Sequence, residues 1–339
     1  MKYEIEKLSP IIVSAAEDGQ RLDKWLKAHF SSVSKVMIEK LCRTGQLRVD
    51  SVRVRPNTRV LVNQKIRVPD FVRSDRLEVH SQPAKVSLKL ISDLKESVIF
   101  EDDHFIIFNK PVGMAVQGGS KLGNYHLVNA LSQFTLPNYP LPRLVHRLDK
   151  DTSGALIVAR SPKSARIISK IIKERQIKKV YWALVHNIPK NKKGIVFSPT
   201  FLNSNQEREE LASLTRNKKY QGFQLLTLKE EEKEALTIYK ILGQQGRESS
   251  WLELVAITGR KHQLRKHMAS IGCPIIGDKR YGNSFYRASA KNKLQVPKAS
   301  HQSLQLHARL IEFEHPFTGK KISIKADPPS HMSKKLVFF

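Results

Sequence analysis

From Arg143 to Gly154 the chain reads Arg-Leu-Val-His-Arg-Leu-Asp-Lys-Asp-Thr-Ser-Gly, a polar turn that runs straight into Ala155-Leu156-Ile157-Val158-Ala159. An uninterrupted apolar run behind a turn signal needs burial on both faces, so it is expected to be an interior strand. The turn then sits on the rim of a rigid sheet and carries Asp149 between Arg147 and Lys150.

Taken alone, this turn has an ordinary explanation, because short polar side chains bond their own backbone and Gly supplies positive φ. It also imitates the start of a calcium loop, with Asp149, Asp151, Ser153 and Gly154 in the leading places. Such a loop needs a bidentate Glu in its twelfth place, and Arg160 stands there, which excludes calcium.

Charge narrows the partner. Lys+Arg number 59 against 31 Asp+Glu, a net charge of +28 spread along all 339 residues. A field of that sign favours a polyanion. Nucleic acid ranks ahead of a membrane surface, because the basic residues run along the whole length. Apolar residues make up 40%, enough for more than one core. Cys42 and Cys273 stand alone and far apart, so neither a disulfide framework nor a thiolate metal site is expected. The acidic residues of Met1-Lys2-Tyr3-Glu4-Ile5-Glu6 resemble neither a secretory signal nor a transit peptide. No apolar run approaches the roughly 20 residues of a membrane span. A soluble, cytoplasmic protein is expected, with no membrane partner.

The order of elements suggests two domains. Leu22, Trp25, Leu26 and Phe30 follow helical spacing, and Ser34 can cap a second helix with Met37, Ile38, Leu41 and Cys42 inside and a stop at Gly45. Alternation follows at Leu47 and Val49, Val52 and Val54, then Val60, Val62, Ile66 and Val68, as expected of small strands. Residues 1–18 form an N-terminal segment, 19–70 a first domain, 71–95 a linker, 96–332 a second domain and 333–339 a tail.

The second domain opens with two strands around Asp102-Asp103 and stops at Pro111. Those adjacent acids read as a solvated turn. Gly118-Gly119-Ser120 lacks the full pattern of a phosphate-cradling loop. A helix is expected over 124–134, a basic amphipathic helix over 164–176, and strands at 178–185, 235–239 and 251–257. The charge runs at 190–193, 207–210 and 230–233 read as solvated, and no function is placed on 186–234. His262 and His267 miss the spacing of a helical zinc pair and have no nearby Cys, so no metal is expected.

His146-Arg147-Leu148-Asp149 with Thr152-Ser153-Gly154 resembles the signature of the RluA-type pseudouridine synthases. Similar landmarks are Asn109-Lys110-Pro111 with Ala115 to Ser120, a Lys-x-Tyr-x-Ala at Lys179 to Ala183, Thr258 to Ala269, Gly272 to Gly282, and Leu306 to Arg309. Arg21 to Pro69 resembles an S4-type RNA-binding domain.

The resemblance implies an α+β catalytic domain around a mixed, mostly antiparallel sheet, preceded by the small S4-type domain. It implies isomerisation of uridine to pseudouridine without a cofactor. Asp149 would be the essential carboxylate, attacking the sugar or removing its C2′ proton. Arg265 would hold that carboxylate ionised through a bidentate pair, and Tyr181 would contact the sugar or base. A target inside structured RNA must be flipped out of its stack, and Arg147 is the candidate to fill the vacated space or grip a phosphate. Lys35, Lys40, Arg43, Arg48, Arg53, Arg55 and Arg59 would bear on phosphates, which position RNA without reading its sequence. The form of the first motif resembles members acting on large-subunit (23S) ribosomal RNA or its precursor, and a monomer is expected. The rivals are the same reaction on transfer RNA or in a mitochondrion, and a non-catalytic RNA-binding ribosome-assembly factor.

Overall fold

The computed structural model describes residues 10–30, 33–73, 87–118, 126–136, 141–198, 224–227, 235–282 and 303–339. Gly119, Ser120 and the acidic runs at 207–210 and 230–233 lie outside them. Described residues of Met1–Val86 join Leu131–Pro142 and Arg160–Pro162 in one unit; those of Ser87–Ala130, Arg143–Ala159 and Lys163–Phe339 make the other.

In the first unit, α1 (Leu22–His29) turns Leu22, Trp25 and Leu26 inward. α2 (Lys35–Thr44) does the same with Ile38, Leu41 and Cys42. The Ser34 hydroxyl accepts from the Met37 amide at 3.2 Å. Gly45, at φ 72°, ends the helix in the left-handed region that a side chain would disfavour. β1 (Ile11–Ile12), β2 (Arg48–Val49), β3 (Val52–Arg53) and β4 (Lys65–Arg67) form an antiparallel sheet in the order β1-β4-β2-β3. Val13, Leu47, Val49, Val60 and Ile66 close one core with the helices.

Three details differ from expectation. β1 comes from the segment placed ahead of the domain, and Val72, placed in the linker, is buried in this core. Val52 and Val62 are 65% and 43% exposed, because β3 is an edge strand and Val62 lies in a turn.

The second unit begins with α4 rather than linker. After α3 (Asp70–Arg73), α4 spans Leu88–Glu96 and buries Leu90 and Leu94, a two-residue stripe too short to register as periodicity. β5 (Val98–Glu101) and β6 (Phe105–Lys110) are the expected strand pair. Asp102 between them is structural: its Oδ1 accepts the amides of His104 and Phe105 at 2.7 Å, and Oδ2 meets His315 Nε2 at 2.9 Å. The helix expected over 124–134 is α5 (Leu127–Ala130) followed by a single 3-10 turn.

The chain continues with β7 (Arg143–Leu144), β8 (Ser153–Ala159), α6 (Pro162–Lys173), β9 (Lys178–His186), β10 (Lys193–Ser198), β11 (Gln224–Thr227), β12 (Ala235–Gln245) and β13 (Ser249–Ala256). α7 (Gln263–Ser270), β14 (Leu306–Glu314), β15 (Lys321–Lys325) and α8 (Ser330–Leu336) complete it. Among the described residues one sheet runs β11-β10-β12-β13-β9-β14-β8-β6-β5, with β15 on β14 and β7 on β8. Only β10–β11 and β14–β8 are parallel, so the sheet is mixed and mostly antiparallel as expected.

Every residue of β8 is buried, which its unbroken apolar run required. β8 meets β14 so closely that a Cβ on Gly154, whose φ is 106°, would fall on the Ala308 carbonyl. Behind β8, Ile168 of α6 packs with Phe105, Ile107, Ala155 and Ile157. Alternation along β9 sends Ala183 and Val185 to the core of Leu264 and Met268 of α7, and Leu184 to that of Met332 of α8. The expected tail is therefore partly docked, with Leu336 and Phe339 against the latter core.

Candidate active site

Asp149 stands in the turn before β8, and the elements around it explain its position. The Lys110 ammonium, fully buried at the end of β6, donates to the carbonyls of Pro111 and Met114 at 2.9 Å and of Lys150 at 3.1 Å. Gly113 N adds a 3.0 Å bond to the same Lys150 carbonyl. Burial pushes the Lys110 ammonium down to about 7, against the pull of Asp151 and Asp149. On the other side, His146 Nε2 accepts the Ile157 amide at 2.9 Å. That role needs a neutral ring, and burial, helped by the charge of Lys179, takes its pKa down to about 3. Past the Asp, His307 donates from Nε2 to the Ala326 carbonyl and accepts from the Ser153 hydroxyl at 2.9 Å. The turn is tied at both ends while the carboxylate projects free of it.

That carboxylate, 24% exposed, opens into a cavity of about 430 Å³ shared with Tyr181, Lys179, His262, Arg265 and Arg147. Tyr181 enters from β9, Arg265 from α7, and Arg147 stands exposed at the rim. Arg265 and Asp149 do meet, but not as a bidentate pair. The fork of Arg265 is taken by Asp278: Nε donates to Oδ2 at 2.8 Å and Nη2 to Oδ1 at 2.7 Å. Only Nη1 faces Asp149, 3.7 Å from Oδ2. Asp278 is fully buried, and its Oδ1 also accepts the amides of Arg280 and Tyr281 at 2.9 and 3.0 Å. Burial alone would raise its pKa, yet the Arg265 bonds and these amides hold it below the usual carboxylate range.

Tyr181 is partly buried on the α7 face of β9. Burial first, and the charge of Asp149 second, push its hydroxyl up to about 12, so it stays a neutral donor. The Lys179 ammonium lines the cavity without a hydrogen-bond or acidic partner among the described residues, its pKa lowered by burial. The cavity thus offers one ionisable oxygen pair against several cations and one phenol. A sugar-phosphate would meet positive charge around a single carboxylate, and a glycosidase-like carboxylate pair is absent from the residues lining it. Among the described residues no three His, Cys, Asp or Glu converge as a metal site.

The sequence reading brought together Asp149, Arg265, Tyr181 and Arg147, and all line this one cavity. It passed over the supports: Lys110, His146, Lys179, His262, Asp278 and Tyr281. All six fell inside recognised motifs, His262 weighed only as a zinc ligand and the others given no role, and the packing of two carboxylates around Arg265 leaves no mark on spacing.

In the small unit, Lys35, Lys40, Arg43, Arg53 and Arg55 are exposed. Arg48 instead spends its guanidinium on the carbonyls of Gly45 and Ser51, at 3.0 and 3.2 Å, and Arg59 bonds the Gly19 carbonyl at 2.7 Å. These two hold their own turns before they can hold a phosphate.

Comparison with known proteins agrees with this layout. The family model described as RNA pseudouridylate synthase matches residues 104–270, and the S4 domain matches residues 20–66. A ribosomal large subunit pseudouridine synthase C of Buchnera aphidicola (subsp. Schizaphis graminum) is 32% identical over 96% of this chain and 96% of its own. Its namesake in Pasteurella multocida is 32% identical over 96% and 92%, and that of Escherichia coli K12 is 30% identical over 96% and 95%. The solved structure of human RNA pseudouridylate synthase domain containing 4 covers 74% of this chain and 95% of its own, with TM-score 0.56 and 24% identity, a likeness of fold. With the S4 domain in front and relatives matched from end to end, the chain belongs to the RNA pseudouridylate synthase family.

Proposed function

We propose that this enzyme isomerises uridines of large-subunit (23S) ribosomal RNA to pseudouridine, with Asp149 as the essential carboxylate. One observation carries the reading: a single cation-flanked carboxylate lies in the cavity of a chain that is 30–32% identical, over 96% of its length, to relatives named for the large ribosomal subunit.

The reaction breaks the N1–C1′ bond, turns the base and joins C5 to C1′. It transfers no electrons and needs no activated phosphate, so the enzyme is proposed to work without a cofactor. Asp149 either attacks C1′ or removes the C2′ proton, and both roles need it ionised. Arg265 Nη1, 3.7 Å away and held by Asp278, places a positive charge beside it. Tyr181 contacts the sugar or base as a neutral donor. Extrusion of the target base costs a few kcal/mol of lost stacking, and Arg147 at the rim enters the gap. Lys35, Lys40, Arg43, Arg53 and Arg55 hold phosphates from the small domain, with Arg48 as a lesser contributor. The enzyme is proposed to act as a monomer in the cytoplasm. Among the described residues no helix is long and apolar enough to cross a membrane.

The test maps pseudouridine chemically in ribosomal and transfer RNA from cells lacking the gene, complemented with wild type or Asp149→Ala. Loss of discrete large-subunit sites, restored by wild type alone, is the expected result. Sites lost from transfer RNA would move the target, and equal rescue by Asp149→Ala would make the chain an RNA-binding factor.

A further inference from the structure

The cavity holds an imidazole that the reaction as described leaves without a task. His262, at the N-terminal end of α7, has φ 56°, a left-handed conformation that a side-chain-bearing residue adopts at some cost and that recurs at functional sites. Its Nδ1 is 3.0 Å from the Tyr281 hydroxyl, which fixes the ring plane. Its Nε2 points to Asp149 Oδ1 at 3.6 Å, too far for a hydrogen bond, and so faces the cavity uncommitted. Five ionisable groups surround the ring. Burial, with Arg265, Arg280 and Lys261, keeps it neutral, Asp149 pulls the other way, and Tyr281 takes the hydrogen bond.

The stoichiometry of the isomerisation requires such a group. Uridine carries hydrogen on C5 and none on N1, whereas pseudouridine carries it on N1 and none on C5. One proton must leave carbon and one must arrive at nitrogen within the closed site. Asp149 has its task on the sugar side of the new bond, at C1′ or C2′, Arg265 has no lone pair to offer, and the phenol of Tyr181 is a neutral donor. His262 is the imidazole that remains beside them, with Nε2 3.6 Å from Asp149, whereas His146, the other imidazole in the cavity, spends its Nε2 on the Ile157 amide.

We infer that His262 is the base that removes the C5 proton, an assignment that rests on the pseudouridine synthase reading and deepens it. Once C5–C1′ has formed, the C5–H bond breaks and its proton passes to Nε2. The released electron pair becomes the C5=C6 double bond, and the N1=C6 pair withdraws onto N1. N1 then takes a proton from the imidazolium, directly or through one water, which regenerates the neutral ring. During this step Nδ1–H donates to Tyr281, and the Asp149 carboxylate stabilises the transient imidazolium.

The test uses the full-length enzyme and total RNA from cells lacking the gene, grown on uracil with either hydrogen or deuterium at C5. The isotope effect is read at whichever uridines the wild type modifies, so a wrong ribosomal target does not mask the answer. His262→Asn suits the position because Asn tolerates positive φ, and its melting temperature reports folding. The expected result is a fall in kcat of about 10²-fold with little change in KM, and a C5 deuterium effect on kcat that the wild type lacks. Tyr281→Phe, which removes the partner of Nδ1, should show a smaller effect of the same kind. A folded His262→Asn enzyme that is slow without an isotope effect, or that keeps wild-type kcat, overturns the assignment. Modified sites outside ribosomal RNA would refute the proposed target alone. A wild type that modifies no uridine would refute both readings.

Discussion

Replacing Asp278 by Asn should damage the enzyme without touching the substrate. Asn keeps an oxygen for the amides of Arg280 and Tyr281, but it loses the charge that Arg265 grips through two bonds of 2.7 and 2.8 Å. Arg265 is 8% exposed and Asp278 is fully buried, so water cannot take over the lost partner. Breaking a buried pair from one side typically costs about 3–5 kcal/mol, because a charge is left uncompensated. For a domain of this size that is a fall of roughly 6–20 °C in melting temperature. Activity should fall too, since the freed fork has one carboxylate left within reach, Asp149, and would turn to bind it.

The double substitution Arg265→Met, Asp278→Asn separates the two effects. Removing both charges should recover much of the stability, because the desolvation of Arg265 is removed with its partner. It should not recover activity, since Asp149 then lacks its cation. Thermal unfolding and pseudouridine formation on the same preparations provide the measurements. A melting temperature for Asp278→Asn within about 2 °C of wild type would refute the buried-pair argument, given the magnitudes above. Full activity in the double variant would refute the electrostatic role of Arg265.

Three further outcomes follow from the same geometry. Lys110→Met strips a donor from three carbonyls, of which that of Lys150 keeps the Gly113 amide, and at about 1–3 kcal/mol for a buried unsatisfied group it should cost several kcal/mol in denaturant titrations and lower kcat through the loosened Asp149 turn. Tyr181 ionises near 10 when unfolded and about 12 when folded, so its contribution to stability is complete below pH 10 and is lost as pH rises towards 12; Tyr181→Phe should remove that alkaline slope from stability measured against pH. His186, His267 and His307 are buried and held down to about 4, and His146 to about 3, so the unfolded chain binds more protons than the folded one. Stability should be complete above about pH 6.5 and fall steeply as pH drops to 4, with proton uptake on unfolding; a flat profile across that window would contradict the burial of these rings.

Local structure was legible where a single side chain decides it. Ser34 and Gly45 bound α2 because one hydroxyl and one positive φ are enough, and Ala155 to Ala159, behind a turn signal, reads as the interior strand it is. Where pairing is non-local the sequence is silent. Leu306 to Arg309 reads as a motif landmark, yet β14, which it opens, is the hub on which β8, β9 and β15 meet. α4 was lost in a charged stretch because two leucines one turn apart are too few to mark a period. Arg48 and Arg59 show the limit for function: an arginine that could meet a phosphate is indistinguishable in sequence from one that bonds its own backbone.

The same limit explains the error over Arg265, and the observed arrangement serves the chemistry better than the expected one. A guanidinium forked directly onto Asp149 would occupy both carboxylate oxygens with strong, charge-assisted bonds that any attack on carbon or capture of a proton must first weaken. Here the fork is spent on Asp278, which the Arg280 and Tyr281 amides also hold, so Arg265 cannot swing away. Only Nη1 is directed at Asp149, at 3.7 Å, and His262 Nε2 stands 3.6 Å from the other oxygen. Neither distance is a hydrogen bond, so both oxygens keep their lone pairs free while standing in a fixed positive field. Such preorganised charge faces the Asp149 carboxylate without binding it, and the protein bears the cost of desolvating Arg265 at a second carboxylate that does not line the cavity.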